Sequence, residues 1–246
     1  MEYSDFEENF GLWAPQFKPF IESREMFDIY QRLKSDALYP DGRRKETIVP
    51  HDSLTFRAFS TTNPERLKVV FYLMDPYPRQ YRNRVNQATG IAMDCSNTPD
   101  GKLQPSLTKF YDAIDKELNT KVLRSPSLEY LHEQGVMMLN TDLTCKLNKT
   151  GSHEGLWEPF QKYFLEEVLR GKQMIFVLCG KASHKIEPYI SPFGNTIIKL
   201  DHPAFAERQK TDWNSKGTFN QINKILAETG GKIFWDKREW DEEVPF

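Results

Sequence analysis

The sequence predicts an α/β protein built on a central, mostly parallel four-stranded sheet flanked by helices. Three observations point there. Four short apolar runs recur, at Leu67–Met74, Gly135–Leu139, Met174–Cys179 and Thr196–Leu200, and three of them are nearly continuous rather than alternating. Continuous runs of that length belong to parallel strands covered on both faces. Helical periodicities lie between the runs, and strands alternating with helices imply βαβ units. The third observation is length. The chain has 246 residues and no internal repeat, low-complexity tract or Gly/Ser linker, so one domain over residues 1–246 is expected.

The elements follow in order. Residues 1–20 are acidic and aromatic and are expected to form an arm on the surface. Residues 21–37 predict a helix, with Ile21, Met26, Ile29, Tyr30 and Leu33 on one stripe. Residues 38–66, rich in Pro, Asp, Thr and Arg, read as loop. Beyond the first strand, Ser106–Leu118 carries Leu107, Phe110, Ile114 and Leu118 at helical spacing. A further helix is expected over Leu156–Leu169, from Phe160, Phe164, Val168 and Leu169.

Composition narrows the function. A formal charge of −2, from 33 Lys+Arg against 35 Asp+Glu, excludes a uniformly basic polymer binder but not a basic face. Aromatics at 13% argue against disorder. Cys95, Cys145 and Cys179 are scattered and form no CxxC, so they read as free thiols in a reducing, intracellular compartment. Three are also too few for a four-cysteine cluster or zinc site, and no metal or cofactor is expected. No apolar run reaches eighteen residues and the N-terminus lacks an apolar core, so neither a membrane span nor a secretory signal is expected.

The polar residues ending each apolar run carry the chemistry. They are Asp75-Pro76-Tyr77-Pro78, Asn140-Thr141, Gly180-Lys181 and Asp201-His202-Pro203. In open parallel sheets the ligand crevice lies outside the carboxyl ends of the strands. Asp75, Asn140, Lys181 and His202 are therefore expected to converge, and a carboxylate, an amide and an imidazole on rigid strands suit a reaction site. Plainer readings exist for each. Asp-Pro-Tyr-Pro also suits a simple turn, Asn140 a cap and His202 a solvated loop. Gly180-Lys181 lacks the rest of a phosphate-binding loop. His51, His132, His153 and His184 show no metal-ligand spacing and read as structural or surface. Arg79, Arg82 and Arg84, then Lys181 and Lys185, then Arg208 and Lys210, all fall just past strand ends. Three basic clusters on one face are better explained by a polyanion such as DNA than by solvation alone.

Taken in order, these residues resemble the family 1 uracil-DNA glycosylases. The family's GQDPYH segment corresponds to Leu73-Met74-Asp75-Pro76-Tyr77-Pro78, and its Gly-Leu-Ala-Phe stretch to Gly90-Ile91-Ala92-Met93. Pro105-Ser106-Leu107 matches its Pro-rich loop, and Met138-Leu139-Asn140-Thr141-Asp142-Leu143-Thr144 its Asn-bearing strand end. Ser152-His153, Trp157 and Phe160, the Gly180-Lys181 loop, and His202-Pro203-Ala204-Phe205 follow. A helix near Thr218–Leu226 and Ile233-Phe234-Trp235 complete the set, which covers roughly residues 10–236.

The resemblance implies a monofunctional DNA repair enzyme. It flips uracil out of single- or double-stranded DNA, hydrolyses the N-glycosidic bond and leaves an abasic site. On that reading Asp75 and His202 are catalytic. Met74, Tyr77, Met93 and Asn140 hold the base. Pro105, Ser106, Gly180, Lys181, Ala204, Phe205 and Arg208 hold DNA, with Phe205 as the apolar wedge. A monomer is expected. Leu73-Met74, Pro78 and Met93 depart from the family pattern and imply a divergent member of viral type. The competing readings are a non-catalytic DNA-binding replication accessory protein on this fold, and a glycosylase for another modified base.

Overall fold

The computed structural model describes residues 9–243. In chain order the elements are α1 (Ala14–Ile21), α2 (Arg24–Ala37), β1 (Ile48–Val49), α3 (Arg57–Ser60), β2 (Val69–Leu73), α4 (Pro105–Leu118), α5 (Glu129–Glu133) and β3 (Val136–Asn140). They continue with β4 (Cys145–Lys146), α6 (Glu158–Tyr163), β5 (Ile175–Cys179), α7 (Lys181–His184), β6 (Thr196–Leu200), α8 (Pro203–Gln209), α9 (Thr218–Ala227) and α10 (Lys237–Glu243). The central sheet runs β3-β2-β5-β6 with every pair parallel. A small antiparallel ladder joins β1 to β4.

The strand sequences explain why this sheet is buried on both faces. Along β2, Val69, Phe71 and Leu73 enter one core while Val70 and Tyr72 enter the other. In β3 and β5 the alternation repeats, with Met138 and Val177 on the first side and Met137 and Phe176 on the second. Strand geometry sends successive side chains to opposite faces, so two covered faces need an unbroken apolar run. Edge strand β6 differs: Lys199 is exposed, as befits an edge.

The N-terminal reading needs correction. Within residues 1–20, residues 1–8 lie outside the described ones, and the rest is no surface arm. Phe10, Trp13, Phe17 and Phe20 are buried in the second core. Phe10 stacks on Phe56 at a centroid distance of 4.1 Å, and Phe17 on Phe160 at 5.1 Å. Acidic residues near the start disguised an aromatic anchor that docks through large rings. Three further differences are local. Pro19 lies within α1, and Ser23 accepts from the Met26 N–H to cap α2, which splits the N-terminal helical region in two. The stretch over 38–66 contains β1 and α3. The helix expected over Leu156–Leu169 is α6 followed by one π-helical turn, Phe164–Val168.

Candidate active site

Strand order sets out the site before any side chain is considered. The carboxyl ends of β3, β2, β5 and β6 stand side by side, and they present Asn140, Asp75, Gly180 and His202 in that spatial order. Leu73 pairs with Asn140 in register, and the Thr141 N–H donates to the Leu73 carbonyl at 2.9 Å, so the two turns leave the sheet together. One pocket at this edge is lined by Leu73, Asp75, Pro76, Tyr77, Ala88, Gly90, Ile91, Met93, Ser106, Asn140 and His202.

Asp75 accepts from the Gly151 N–H at 2.6 Å through Oδ2. Burial raises its pKa above the ordinary carboxylate value, and the Gly151 hydrogen bond partly opposes that. The carboxylate is thus held in place and partly desolvated, which strengthens its field on a nearby cation.

His202 caps α8. Its Nδ1 accepts from the Ala204 N–H at 3.1 Å, and a backbone N–H can only donate, so Nδ1 is bare and Nε2 carries the proton of the neutral ring. Burial, reinforced by Arg208, lowers its pKa to about 4. The imidazole is therefore a neutral hydrogen-bond donor at physiological pH. Gly180 makes room for it: a Cβ there would lie 2.9 Å from the His202 Cβ, and Gly180 has φ +94°.

Asn140 is 6% exposed. Its carbonyl accepts from Gln161 Nε2 at 3.1 Å, while its side-chain amide has no partner among the described residues. A buried amide left free on a pocket wall is a ready reader of a polar ligand edge. Tyr77 is fixed by a 2.6 Å hydrogen bond to Ser106 Oγ, and its hydroxyl donates to the Met93 carbonyl at 3.3 Å. Met93 itself adopts φ 61°, a left-handed conformation that costs a non-glycine residue energy and recurs at functional sites. Gly90 closes the same wall; a Cβ there would lie 1.9 Å from the Leu54 carbonyl oxygen.

The structure thus brings together Asp75, Tyr77, Met93, Ser106, Asn140 and His202. Met74 does not line the pocket. Its Cε lies near Gly151, and its carbonyl accepts from Thr141 Oγ1 at 2.7 Å and from the Asp142 N–H at 3.0 Å. Pro105 is exposed at the start of α4, and Lys181 is exposed at the start of α7. Ala204, Phe205 and Arg208 lie on α8 next to His202, with Phe205 47% exposed. Lys185, from the second basic cluster, is taken up by an ion pair with Glu154.

Two residues escaped the sequence reading. Gly151 is one position before the Ser152-His153 pair, and its backbone donor leaves no trace in a side-chain motif. Asp142 stands two residues beyond Asn140 and is 6% exposed; burial pushes its pKa up to about 7, with the negative charge of Asp75 adding to the shift. Among the polar residues Asn140, Thr141 and Thr144 around it, nothing in the sequence marked Asp142 out.

The histidines outside the site are structural or exposed. His132 is buried, accepts from the Met138 N–H through Nε2 and faces the Thr61 and Thr62 hydroxyls. His153 bonds the Thr144 hydroxyl. His51 lies on the surface. Among the described residues no cluster of His, Cys, Asp or Glu could hold a metal ion, and no helix is long and apolar enough to cross a membrane.

Comparison with known proteins agrees with this fold. No family model matches the chain. A uracil-DNA glycosylase of Pseudomonas aeruginosa is 31% identical over 210 residues, covering 84% of this chain and 87% of the relative. That of Bacillus cereus is 30% identical over 235 residues, covering 95% and 96%. The crystal structure of mimivirus uracil-DNA glycosylase superposes with a TM-score of 0.77 at 25% identity, over 91% of this chain and 86% of that one. The fold is that of these enzymes. The chain belongs to the uracil-DNA glycosylase family.

Proposed function

We propose that this chain hydrolyses the N-glycosidic bond between uracil and deoxyribose in DNA, releasing free uracil and an abasic site. The observation that carries it is a single pocket uniting an ionisable carboxylate (Asp75), a free buried amide (Asn140) and an imidazole fixed as a neutral donor (His202). Cleavage develops positive charge on the sugar and negative charge on the departing base. Asp75 stabilises the first and orients the attacking water, while His202 Nε2–H donates to the base oxygen as its charge grows. Asn140 offers one donor and one acceptor to the uracil edge and mispairs with cytosine. Tyr77, locked by Ser106, occupies the space a 5-methyl group would need, which rejects thymine. Met93 packs on the base face with a polarizable thioether.

The base reaches this pocket only after leaving the helix. Pro105, Ser106, Gly180, Lys181, Ala204 and Arg208 grip the flanking phosphates, and exposed Phe205 fills the gap in the stack. The protein acts as a monomer on single- and double-stranded DNA. Family 1 membership rests on the ordered motifs, and the three buried free thiols support a reducing compartment. The substitutions at Leu73, Met74, Pro78 and Met93 support a divergent, viral-type member.

The test is direct. A uracil-containing oligonucleotide is incubated in EDTA buffer with wild type or Asp75→Asn and then treated with alkali. Wild type is expected to release free uracil and give strand cleavage at the uracil position. Asp75→Asn should lose about two to four orders of magnitude in rate yet still bind DNA. A wild-type protein that binds DNA but frees no uracil would overturn the reading.

A further inference from the structure

The pocket wall continues outward into a feature that the glycosylase reading leaves unused. Between Pro78 and Ala88 the chain forms a hairpin. Gln80 bridges Asn86, the Tyr81 N–H donates to the Val85 carbonyl at 2.9 Å, and the Arg84 N–H donates to the Tyr81 carbonyl at 2.9 Å. Gln80 Nε2 ties the two arms through the Asn86 side chain and the Arg84 carbonyl. Outside the hairpin, Tyr81 bonds Thr98 at 2.7 Å, Asn97 Nδ2 donates to the Asn86 carbonyl and the Asn148 N–H to the Pro78 carbonyl. This is a built and anchored element, not a loose loop.

Its charge is unusual for this protein. No acidic residue occurs between Asp75 and Asp94, although the chain as a whole carries 35. Arg79, Arg82 and Arg84 are all exposed. Elsewhere, arginines commonly hold a carboxylate, as Arg57 holds Glu129 and Arg124 holds Asp112 and Asp115. The three hairpin arginines hold none among the described residues. Arg84 also stands at φ 65°, the left-handed turn position that glycine or asparagine fills at less cost. An arginine is kept where the backbone would prefer another residue.

We propose that the hairpin from Arg79 to Gln87 is a DNA clamp, in which Arg79, Arg82 and Arg84 bind backbone phosphates of the duplex beside the pocket, whether or not a nucleotide is everted. Its base and the pocket share a wall, since Pro76, Tyr77 and Ala88 line the pocket. The arm from Ala88 to Val85 reaches about 10 Å before the chain turns at Arg84, roughly three nucleotides of rise along a strand. Guanidinium forks suit phosphate oxygens bidentately. The clamp adds affinity without reading sequence, because phosphate contacts position and do not specify.

This inference rests on the proposed function for its ligand, and its test separates the two. Binding of a fluorescent, uracil-free duplex is measured across a salt series for wild type, a triple Arg79→Gln, Arg82→Gln, Arg84→Gln variant, the corresponding triple Lys variant, and Arg66→Gln. Arg66 also holds no carboxylate among the described residues but precedes β2, at the opposite end of the sheet. Each phosphate contact contributes roughly 0.9 to the slope of log affinity against log salt. The triple Gln variant should therefore show a slope shallower by about 2–3, the Lys variant one close to wild type, and Arg66→Gln no change. Should the triple variant fold poorly by its melting temperature, Arg82→Gln at the exposed tip should still flatten the slope by about one. An unchanged slope in a folded variant overturns the clamp, even if wild type excises uracil. A flattened slope in a protein that frees no uracil upholds the clamp and overturns the glycosylase reading.

Discussion

His202 shows how much chemistry one hydrogen bond decides. The Ala204 N–H occupies Nδ1, so the proton sits on Nε2, and burial keeps the ring neutral down to about pH 4. Asp75, with its pKa raised by burial, must instead lose its proton before it can stabilise a cation. The loss of activity toward acid pH is therefore expected from Asp75. The rate of excision should fall as pH drops through the raised Asp75 pKa, and His202→Gln should lower the plateau without moving that midpoint. A midpoint that shifted with His202→Gln would assign the acid limb to the imidazole. Gly180 makes a sharper test at the same scale. Its positive φ and the 2.9 Å approach to His202 mean that Gly180→Ala must push the imidazole aside. Misplacement of about 1 Å can cost two orders of magnitude, so excision should fall at least ten-fold, with a few degrees lost from the melting temperature because Ala is strained at this φ. Full activity in Gly180→Ala would mean that the position of His202 is not critical.

Among the elements, the N-terminal segment departs furthest from its sequence pattern. Helix α1 exposes Gln16 and Lys18 and buries Phe17, Phe20 and Ile21. Together with Phe10 and Trp13 it closes the second core against Phe56, Phe59, Phe160 and Phe164. Rings of this size bury large apolar areas and favour offset or edge contacts. Phe17→Ala should cost about 3–5 kcal/mol, read as a drop in the midpoint of urea unfolding. Removing residues 1–22 should yield insoluble protein. A truncated chain that folded and excised uracil would return the segment to the surface. Strand β2 illustrates the opposite case, since its apolar run alone announced an element buried on both faces, and the ends agree within two residues.

For the whole molecule, pH stability turns on Asp142. Its folded pKa is raised to about 7 while the unfolded carboxylate titrates near 3.8. The folded state binds the extra proton between those values, so stability is fully present below the unfolded pKa and is lost as pH rises through about 7. The loss amounts to about 2–4 kcal/mol by pH 8. Asp142→Asn keeps an acceptor for the Trp157 N–H without the charge. It should melt several degrees above wild type at pH 8, with the gap narrowed at pH 5 and closed only below about pH 4. Equal melting curves at both values would show that Asp142 ionises freely.

Much of the fold was legible in the chain because buried parallel strands need unbroken apolar runs, and such runs survive in linear order. That Asp75, Asn140 and His202 would gather at one edge was legible for a related reason. Asn140 ends β3, Asp75 and His202 stand two residues beyond the ends of β2 and β6, and a parallel sheet carries all its strand ends to one side. The N-terminal anchor was not legible, because amphipathic aromatics look alike on a surface arm and on a docked helix until the partner rings are known. Nor was the Gly151 N–H on Asp75, since a backbone donor has no side-chain signature. The sequence alone thus determined the sheet, its direction and the polar residues at its edge. Only the tertiary structure decided which of them share a pocket, which tautomer His202 adopts, and that Met74 packs near Gly151 outside the pocket lining. Those depend on distances between segments far apart in the chain, and on the desolvation that their packing imposes.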